Sequence, residues 1–147
     1  MTLPLSIELV PHDSARYHEA VTLRRAVLRR PLGLDFTDDE LAAESRHLHL
    51  VAIYCTKVVG CLMIVIEPTA GRIRQMAVDE NCRGMSIGRL LMIRAEHEIA
   101  AMGLSHIVLH ARETAMGFYE KLGFVREGAR FIEVGIGHYK MTKKIKP

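Results

Sequence analysis

The chain has 147 residues, of which 49% are hydrophobic and 25% are charged, close to the averages for a globular protein. This length predicts one domain, residues 1–147, which can bury a core without disulfide or metal crosslinks. The formal net charge of +3 is too small to make nucleic acid an expected partner. The composition therefore favours a small molecule as the partner.

The cysteines and the hydropathy of the chain bear on where the protein works. The three cysteines form no C-x-x-C pair, which argues against a disulfide framework and against a structural zinc site. No apolar run approaches the roughly 18 residues of a membrane-spanning helix. The first residues also lack the order of a signal peptide. We therefore expect a cytoplasmic protein with no membrane partner.

The first third of the chain predicts a strand followed by two helices. Residues 6–10 alternate like a short strand, and the apolar periodicity over 17–28 predicts a helix. Pro31 and Gly33 break that helix. Residues 37–40 form a pattern typical of a capping box, which predicts the start of a second, short helix.

The middle of the chain predicts three consecutive strands. Residues 48–54 and 58–66 are rich in Val, Ile and Leu, and a turn at 56–57 would join them as a hairpin. Residues 72–78 predict a third strand of the same meander. A polar loop follows this third strand.

The last third predicts a helix over about 86–101, ended by Gly103, and a short buried strand over 105–109. An amphipathic helix over 114–122 and a final β segment over 123–144 follow. The resulting order is β-α-α-β-β-β-α-β-α-β-β. Helices that enclose a mixed sheet make this an α/β fold rather than an all-β fold.

The loop between the third meander strand and the long helix contains Arg83, Gly84, Ser86 and Gly88. Small residues let backbone N–H groups approach a ligand, and the helix start adds unsatisfied donors with a partial positive charge. The pattern is typical of a pyrophosphate site, although an ordinary strand-loop-helix turn is an open alternative. Its spacing fits neither a Walker loop nor the dinucleotide fingerprint.

Two segments resemble signatures of a known family. Residues 83–88, R-G-M-S-I-G, resemble the R/Q-x-x-G-x-G/A motif of the GNAT superfamily of acyl-CoA-dependent N-acyltransferases. Residues 115–124, A-x-x-F-Y-E-K-L-G-F, resemble the second signature of that family. Residues 135–138, G-I-G-H, resemble the G-I-P-H of its ElaA-like branch. The resemblance implies a mixed, mostly antiparallel central sheet flanked by helices.

The resemblance also implies acetyl-CoA as co-substrate. The backbone amides of Met76 and Val78 would meet the pantetheine arm and the thioester oxygen, where a fixed donor contributes roughly 3 kcal/mol. Ser86 stands where the family motif has glycine, so we expect weaker CoA binding but not its loss. The implied CoA-binding residues are Met76, Ala77, Val78, Arg83, Gly84, Met85, Ser86, Ile87, Gly88 and Arg89.

Tyr119, in the second signature, is the candidate acid for the leaving thiolate. A phenol with a pKa of about 10 can hydrogen-bond to a thiolate whose conjugate acid has a pKa near 8.5, and can pass it a proton. Without the surrounding pattern, a tyrosine on an amphipathic helix would more often be a core residue.

The sequence indicates the general base less clearly than the acid. Family members often carry Glu or His on the strand before the loop, whereas this chain has Arg72 and Arg74, and arginine is no base at neutral pH. The candidates are His138 and then His110, because histidine ordinarily has a pKa of about 6.5. A water chain is the alternative. Glu133 is expected to line the acceptor pocket.

Two further groups of residues are of types that can bind ligands: the arginines of the first predicted helix and a pair of histidines. Arg24 lies among four arginines of the first predicted helix and is a candidate to bind a carboxylate of the acceptor, with a solvated helix face as the alternative. His106 and His110 could suggest a metal, but residues four apart on a strand lie about 13 Å from each other. We therefore expect no metal site.

We therefore expect an N-acetyltransferase that moves an acetyl group from acetyl-CoA to a primary amine by direct attack, without a covalent enzyme intermediate. The acceptor would be a small molecule or a peptide, and a homodimer is left open. The alternatives are a non-catalytic acyl-CoA-binding module and an unrelated phosphate-binding domain.

Overall fold

The computed structural model of the protein describes residues 5–147. Within that range the chain forms seven strands: β1 (Ser6–Val10), β2 (Leu48–Tyr54), β3 (Lys57–Ile66), β4 (Gly71–Val78), β5 (His106–Arg112), β6 (Val125–Glu133) and β7 (Ile136–Lys144). The α-helices are α1 (Ala15–Arg24), α2 (Asp38–Ala42), α3 (Ile87–Ala101) and α4 (Met116–Lys121). This order confirms the predicted one.

The strands form one sheet in the order β1-β2-β3-β4-β5-β7-β6. All neighbours are antiparallel except β4 and β5, which confirms the expected mixed, mostly antiparallel sheet. The parallel pairing of β4 with β5 covers only three residues of β4, from Gly71 to Ile73. Beyond Ile73 the two strands diverge, so among residues 5–147 one edge of β4 has no partner strand.

Two apolar layers cover the two faces of this sheet. Helix α3 buries Leu91, Ala95 and Ile99, four residues apart and therefore on one side of the helix, against the larger layer. Helix α1 packs Ala20 against the opposite layer, which includes Val51 of β2. The part of the sheet that lies under α1 also borders the divergence of β4 and β5.

A β-bulge interrupts β4 next to that divergence. The pairing of β3 with β4 shifts register between Cys61 and Met63. Gln75 has a φ of +55°, a left-handed conformation that is rare for a residue other than glycine. An extra residue in one strand reverses which face the following side chains take. The sequence pattern gave no sign of this reversal.

The first helix differs from its prediction. Periodicity predicted one helix over 17–28, but α1 ends at Arg24 and continues as a π-helical turn, Arg25–Arg29. In this turn the N–H of Arg30 donates to the carbonyl of Arg25, five residues earlier. The capping box over 37–40 is present as predicted, because Thr37 and Glu40 exchange side-chain to backbone hydrogen bonds.

Three boundaries also shift. The first hairpin turns at Cys55 and Thr56, not at 56–57, because a tight two-residue turn needs two consecutive residues with positive φ. Strand β5 continues to Arg112, so His110 does not close it. The helix predicted over 114–122 is a 3₁₀ turn followed by α4. Among residues 5–147, no helix is both long enough and apolar enough to span a membrane.

Candidate functional site

A cavity of about 240 Å³ opens where β4 and β5 diverge. It lies between the π-helical turn, the two diverging strands, α4 and the β6–β7 hairpin. The chemically active side chains in its walls are Arg29, Arg72, Arg74, His110, Arg112, Tyr119, Glu133 and His138. The cavity therefore collects the predicted acid, both predicted bases and the predicted acceptor residue Glu133.

The open edge of β4 directs backbone donors toward this cavity. Asp79, just after the strand, donates its N–H to the carbonyl of Val59 in β3 at 2.8 Å. Alternate residues of a strand point their backbone groups the same way, so Ala77 also faces β3. The N–H groups of Met76 and Val78 consequently face the edge that β5 leaves open. Ala77, in contrast, buries its methyl group under α1.

The loop before α3 has the conformation that close backbone approach requires. Gly84 has a φ of +92° and Ser86 a φ of +61°, and no side chain within residues 5–147 caps the first turn of α3. The first N–H groups of the helix are therefore free, at the positive end of its dipole. Arg83 and Arg89 are exposed beside them. This donor set fits a pyrophosphate.

Gly88, at the start of α3, leaves room that a larger residue would fill. A Cβ at this position would lie 3.1 Å from Met76 Cε and 3.2 Å from Phe118 Cζ. The glycine thus keeps the helix start close to β4 and α4. A β-branched residue here would push these neighbours into the space beside the open edge.

Tyr119 of α4 is buried and extends its hydroxyl toward the open edge of β4. Its Oη donates to Met76 Sδ at 3.5 Å, a weak acceptor. Burial raises the pKa of Tyr119 to about 12. The phenol therefore stays protonated at neutral pH and can donate a hydrogen bond to a stronger acceptor in the cavity.

His138 of β7 has one ring nitrogen free to accept a proton. Its Nδ1 lies 2.9 Å from the carbonyl oxygen of Ile136, which can only accept, so Nδ1 carries the hydrogen. In the neutral ring Nε2 then holds a lone pair, 3.7 Å from Glu133 Oε2. The side chain is only 5% exposed. His138 thus combines a basic nitrogen with a shielded position.

His110 of β5 is held differently. Its Nδ1 lies 3.1 Å from Glu133 Oε1, and its Nε2 lies 3.3 Å from Arg72 Nη1. Because a guanidinium only donates, the lone pair of Nε2 is already used. Arg72 in turn pairs with Glu67 at 3.0 Å. His110 is therefore less available as a base than His138.

Arg24 does not line this cavity, which corrects both interpretations offered from the sequence. Its Nη1 and Nη2 donate to the two carboxylate oxygens of Glu44 at 2.7 and 2.6 Å, and the side chain is almost fully buried. Tyr17 Oη donates to the same carboxylate at 2.8 Å. The chain itself supplies the carboxylate, so Arg24 is neither solvated nor open to an acceptor.

The electrostatics of this buried pair favour its charged form. Burial raises the pKa of Glu44, but the hydrogen bonds and charge of Arg24, with the Tyr17 hydroxyl, outweigh it and hold that pKa below its ordinary value. The pKa of Arg24 is raised by Glu44 against the opposing effect of burial.

Sequence reasoning missed two arginines of the cavity, Arg29 and Arg112. Arg112 could have been found if the strand predicted over 105–109 had been extended by three residues, because positions 110 and 112 of one strand share a face. Arg29 had no such signal. It lies in the π-helical turn, which the periodicity over 17–28 did not predict.

Comparison with known proteins agrees with this architecture. Residues 34–145 match a family model described as "Acetyltransferase (GNAT) domain". An IAA acetyltransferase of Azospirillum brasilense is 35% identical over 124 residues, which cover 72% of this chain and 81% of that protein.

Solved structures share the fold. Escherichia coli ElaA has a TM-score of 0.82 at 19% identity, with 95% of this chain and 99% of that chain covered. An aminoglycoside 6'-N-acetyltransferase complexed with coenzyme A has a TM-score of 0.79 at 18% identity, with 97% and 98% covered. The chain therefore belongs to the GNAT acetyltransferase family, whose members transfer an acyl group from acyl-CoA to an amine.

Proposed function

We propose that this chain transfers an acetyl group from acetyl-CoA to a primary amine by direct attack in the cavity between β4 and β5. The observation that carries the proposal is the open edge of β4. There Met76 lines one cavity with the protonated phenol of Tyr119 and the basic nitrogen of His138, and the N–H groups of Met76 and Val78 face the open edge. We further propose that residues 1–147 act as one domain.

The first task of the chain is to hold the co-substrate. Acetyl-CoA supplies an acyl group activated as a thioester. The free N–H groups at the start of α3, with Arg83 and Arg89, would bind its pyrophosphate, because backbone donors and the helix dipole favour an anion there. The open edge of β4 would then receive the extended arm as a strand-like partner through Met76 and Val78.

The second task is to move the acyl group and the protons. The amine nitrogen forms a bond to the thioester carbon, and the carbon–sulfur bond breaks to release CoA. The N–H groups of Met76 and Val78 would stabilise the negative charge that develops on the carbonyl oxygen, each by about 3 kcal/mol. His138 Nε2 would take the proton that the amine loses, while Tyr119 would give one to the leaving sulfur.

Glu133 would act as a positioning residue for these protons. Its carboxylate lies between His138 and His110, with one oxygen near each ring. Glu133 is partly exposed, so a proton taken up by His138 can pass through this carboxylate to solvent over a short distance.

A thiol-release screen tests the proposal. Acetyl-CoA is mixed with the protein and with amines, polyamines, amino acids, aminosugars or peptide N-termini, and free thiol is followed over time. Steady thiol release that depends on one amine supports an acetyltransferase. CoA binding without release for any amine would instead indicate a non-catalytic CoA-binding module.

A variant pair tests the CoA site by calorimetry. We expect Arg83→Glu with Gly88→Val to abolish CoA binding while the protein stays folded, because one change repels phosphate and the other fills the space beside Met76. Ser86→Gly is the matched control. It suits the positive φ of residue 86 and should keep or improve the affinity. Unchanged CoA binding in the double variant would contradict the assignment.

A further inference from the structure

The cavity concentrates positive charge. Four arginines and one carboxylate, Glu133, line it, so the formal charge of its wall is +3 with both histidines neutral. That equals the net charge of the whole chain. The formal charges of all other residues therefore sum to zero, and the excess positive charge lies around the proposed acceptor site.

Three of these arginines lack a carboxylate partner. Arg72 pairs with Glu67, but across the described residues 5–147 no ion pair engages Arg29, Arg74 or Arg112. Exposed arginines elsewhere in the protein also lack partners. What distinguishes these three is that they converge on one concave wall.

A single backbone carbonyl holds two of them in place. The oxygen of Leu28 accepts from Arg112 Nη2 at 3.2 Å and from Arg29 Nη1 at 3.4 Å. This carbonyl lies in the π-helical turn. Arg29 also lies over the ring of Phe36, 4.5 Å from its centroid. Contacts with the protein thus orient the guanidinium groups of Arg29 and Arg112, whereas Arg74 is exposed.

The arginines cannot relieve their mutual repulsion by losing a proton. Burial lowers the pKa of Arg29, and neighbouring arginines lower it further against the opposing charge of Glu40. An arginine nevertheless stays charged at any working pH. An anion bound between the three groups is what would remove the repulsion, and a carboxylate matches the planar fork of a guanidinium.

The proposed base lies next to these groups. His138 of β7 pairs in register with Arg112 of β5. A small molecule whose carboxylate meets the arginines can therefore place an amine a few atoms away beside His138. The volume of about 240 Å³ suits a molecule of amino-acid size.

We infer that the acceptor is a small amine that carries a carboxylate, held by Arg29, Arg74 and Arg112 while its amino group faces His138. This rests on the proposed function. The chemistry is the same transfer: the amine nitrogen bonds to the acyl carbon, the carbon–sulfur bond breaks, the amine proton passes to His138, and Tyr119 gives a proton to the sulfur so that CoA leaves as a thiol. Polyamines and aminosugars with several positive charges are repelled from this wall.

Matched amines test the inference. Thiol release is measured with glycine and glycinamide, which differ in the carboxylate, and with spermidine. Rates are corrected for the fraction of neutral amine. We expect kcat/KM to be at least about tenfold higher for glycine than for glycinamide, the effect of a charge-assisted hydrogen bond. Equal values, or a preference for spermidine, would overturn the inference.

A variant isolates the contribution of the cavity. In Arg74→Gln the side chain stays polar, and we expect the preference for glycine to fall at least about tenfold, mostly through KM. Arg46→Gln is the control, because Arg46 is exposed and does not line the cavity. If both variants keep the wild-type preference, Arg74 does not bind the carboxylate.

A binding measurement separates this inference from the proposed function. The complex of the protein with CoA is titrated with N-acetylglycine and with N-acetylglycinamide by calorimetry. Tighter binding of N-acetylglycine, lost in Arg74→Gln, supports the carboxylate site even if no amine is acetylated, in which case only the proposed function fails. Equal binding of both compounds would overturn the inference even if acetylation occurs.

Discussion

Two arginines that lie over the ring of one phenylalanine have opposite surroundings. The guanidinium carbons of Arg24 and Arg29 each lie 4.5 Å from the centroid of the Phe36 ring. Arg24 is buried and binds both oxygens of Glu44. Arg29 faces the cavity and has no ion-pair partner among residues 5–147. The same residue type thus forms a buried ion pair at one position and lines the cavity five residues later.

The contrast extends to two whole clusters. The internal cluster comprises Tyr17, Arg24, Glu44 and His49, and the cavity cluster comprises Arg29, Arg74, Arg112, Tyr119 and His138. In the internal cluster Glu44 contacts every other member, its backbone carbonyl lying 3.0 Å from the ring of His49. In the cavity cluster no such common partner is present within the described part of the chain. A ligand would fill that position.

The largest expected effect separates the two arginines. We expect Arg24→Leu to lower the free energy of unfolding by about 3–5 kcal/mol, because it leaves the charge of Glu44 buried and unpaired. Arg29→Leu should change it by no more than about 1 kcal/mol, since no carboxylate among residues 5–147 pairs with Arg29 and no buried charge is left behind. Chemical unfolding measures both.

A double variant controls this comparison. Arg24→Leu combined with Glu44→Leu removes both charges and should recover most of the lost stability. If Arg29→Leu were as destabilising as Arg24→Leu, the cavity arginines would be structural and the contrast between the clusters would disappear.

The same pair of arginines shows what sequence reasoning can reach. The order of elements followed from local patterns: β2 begins and ends where its Val, Ile and Leu run predicted, and the capping box at Thr37 starts α2. Arg24 and Arg29 could not be told apart, because the partner of Arg24 lies 20 residues away in sequence. Local periodicity cannot indicate a hydrogen-bond partner that is distant in the sequence.

The candidate site likewise has residues that the sequence predicted and residues that only the structure could place. Tyr119, Glu133 and His138 were singled out from the sequence, and the fold brings all three to one cavity. The β-bulge at Gln75 was not predictable, because it arises from the pairing of two strands. It determines which residues of β4 face the cavity, so the wall could be assembled only from the structure.

The next largest effect concerns two buried tyrosines. We expect Tyr119→Phe to lower the acetylation rate by about a hundredfold with CoA affinity little changed, because it removes the proton donor for the leaving thiolate. Tyr17→Phe should instead lower the free energy of unfolding by about 1–3 kcal/mol through the lost bond to Glu44, with the rate retained. Full activity of Tyr119→Phe would show that the thiolate leaves unassisted.

Two buried histidines provide a smaller and more specific contrast. We expect kcat/KM of the wild type to rise with pH and level off, with an inflection between about pH 5 and 8, where histidines change charge. In His138→Gln the inflection should disappear and the rate at neutral pH should fall at least about tenfold. His49→Gln should keep the inflection, since His49 bonds to Glu44 outside the cavity.

A profile of His138→Gln identical to the wild type would remove His138 from the mechanism. His110→Gln would then be the decisive variant. If it lost the inflection, His110 would be the base despite its contact with Arg72. If it also kept the inflection, water would carry the proton.

The smallest expected effect is an acid dependence of stability that comes from the internal cluster. Because the pKa of Glu44 is lower in the folded protein than its ordinary value, its contribution is complete above the unfolded pKa of about 4.3. It is lost as pH falls through the lower folded pKa. Protonated Glu44 leaves Arg24 with no counter-charge, which is the situation of the cavity arginines. Urea unfolding between pH 6 and 3 should therefore show a steeper loss for the wild type than for Arg24→Leu/Glu44→Leu. Equal slopes would mean that Glu44 does not hold an ionised pair inside the fold.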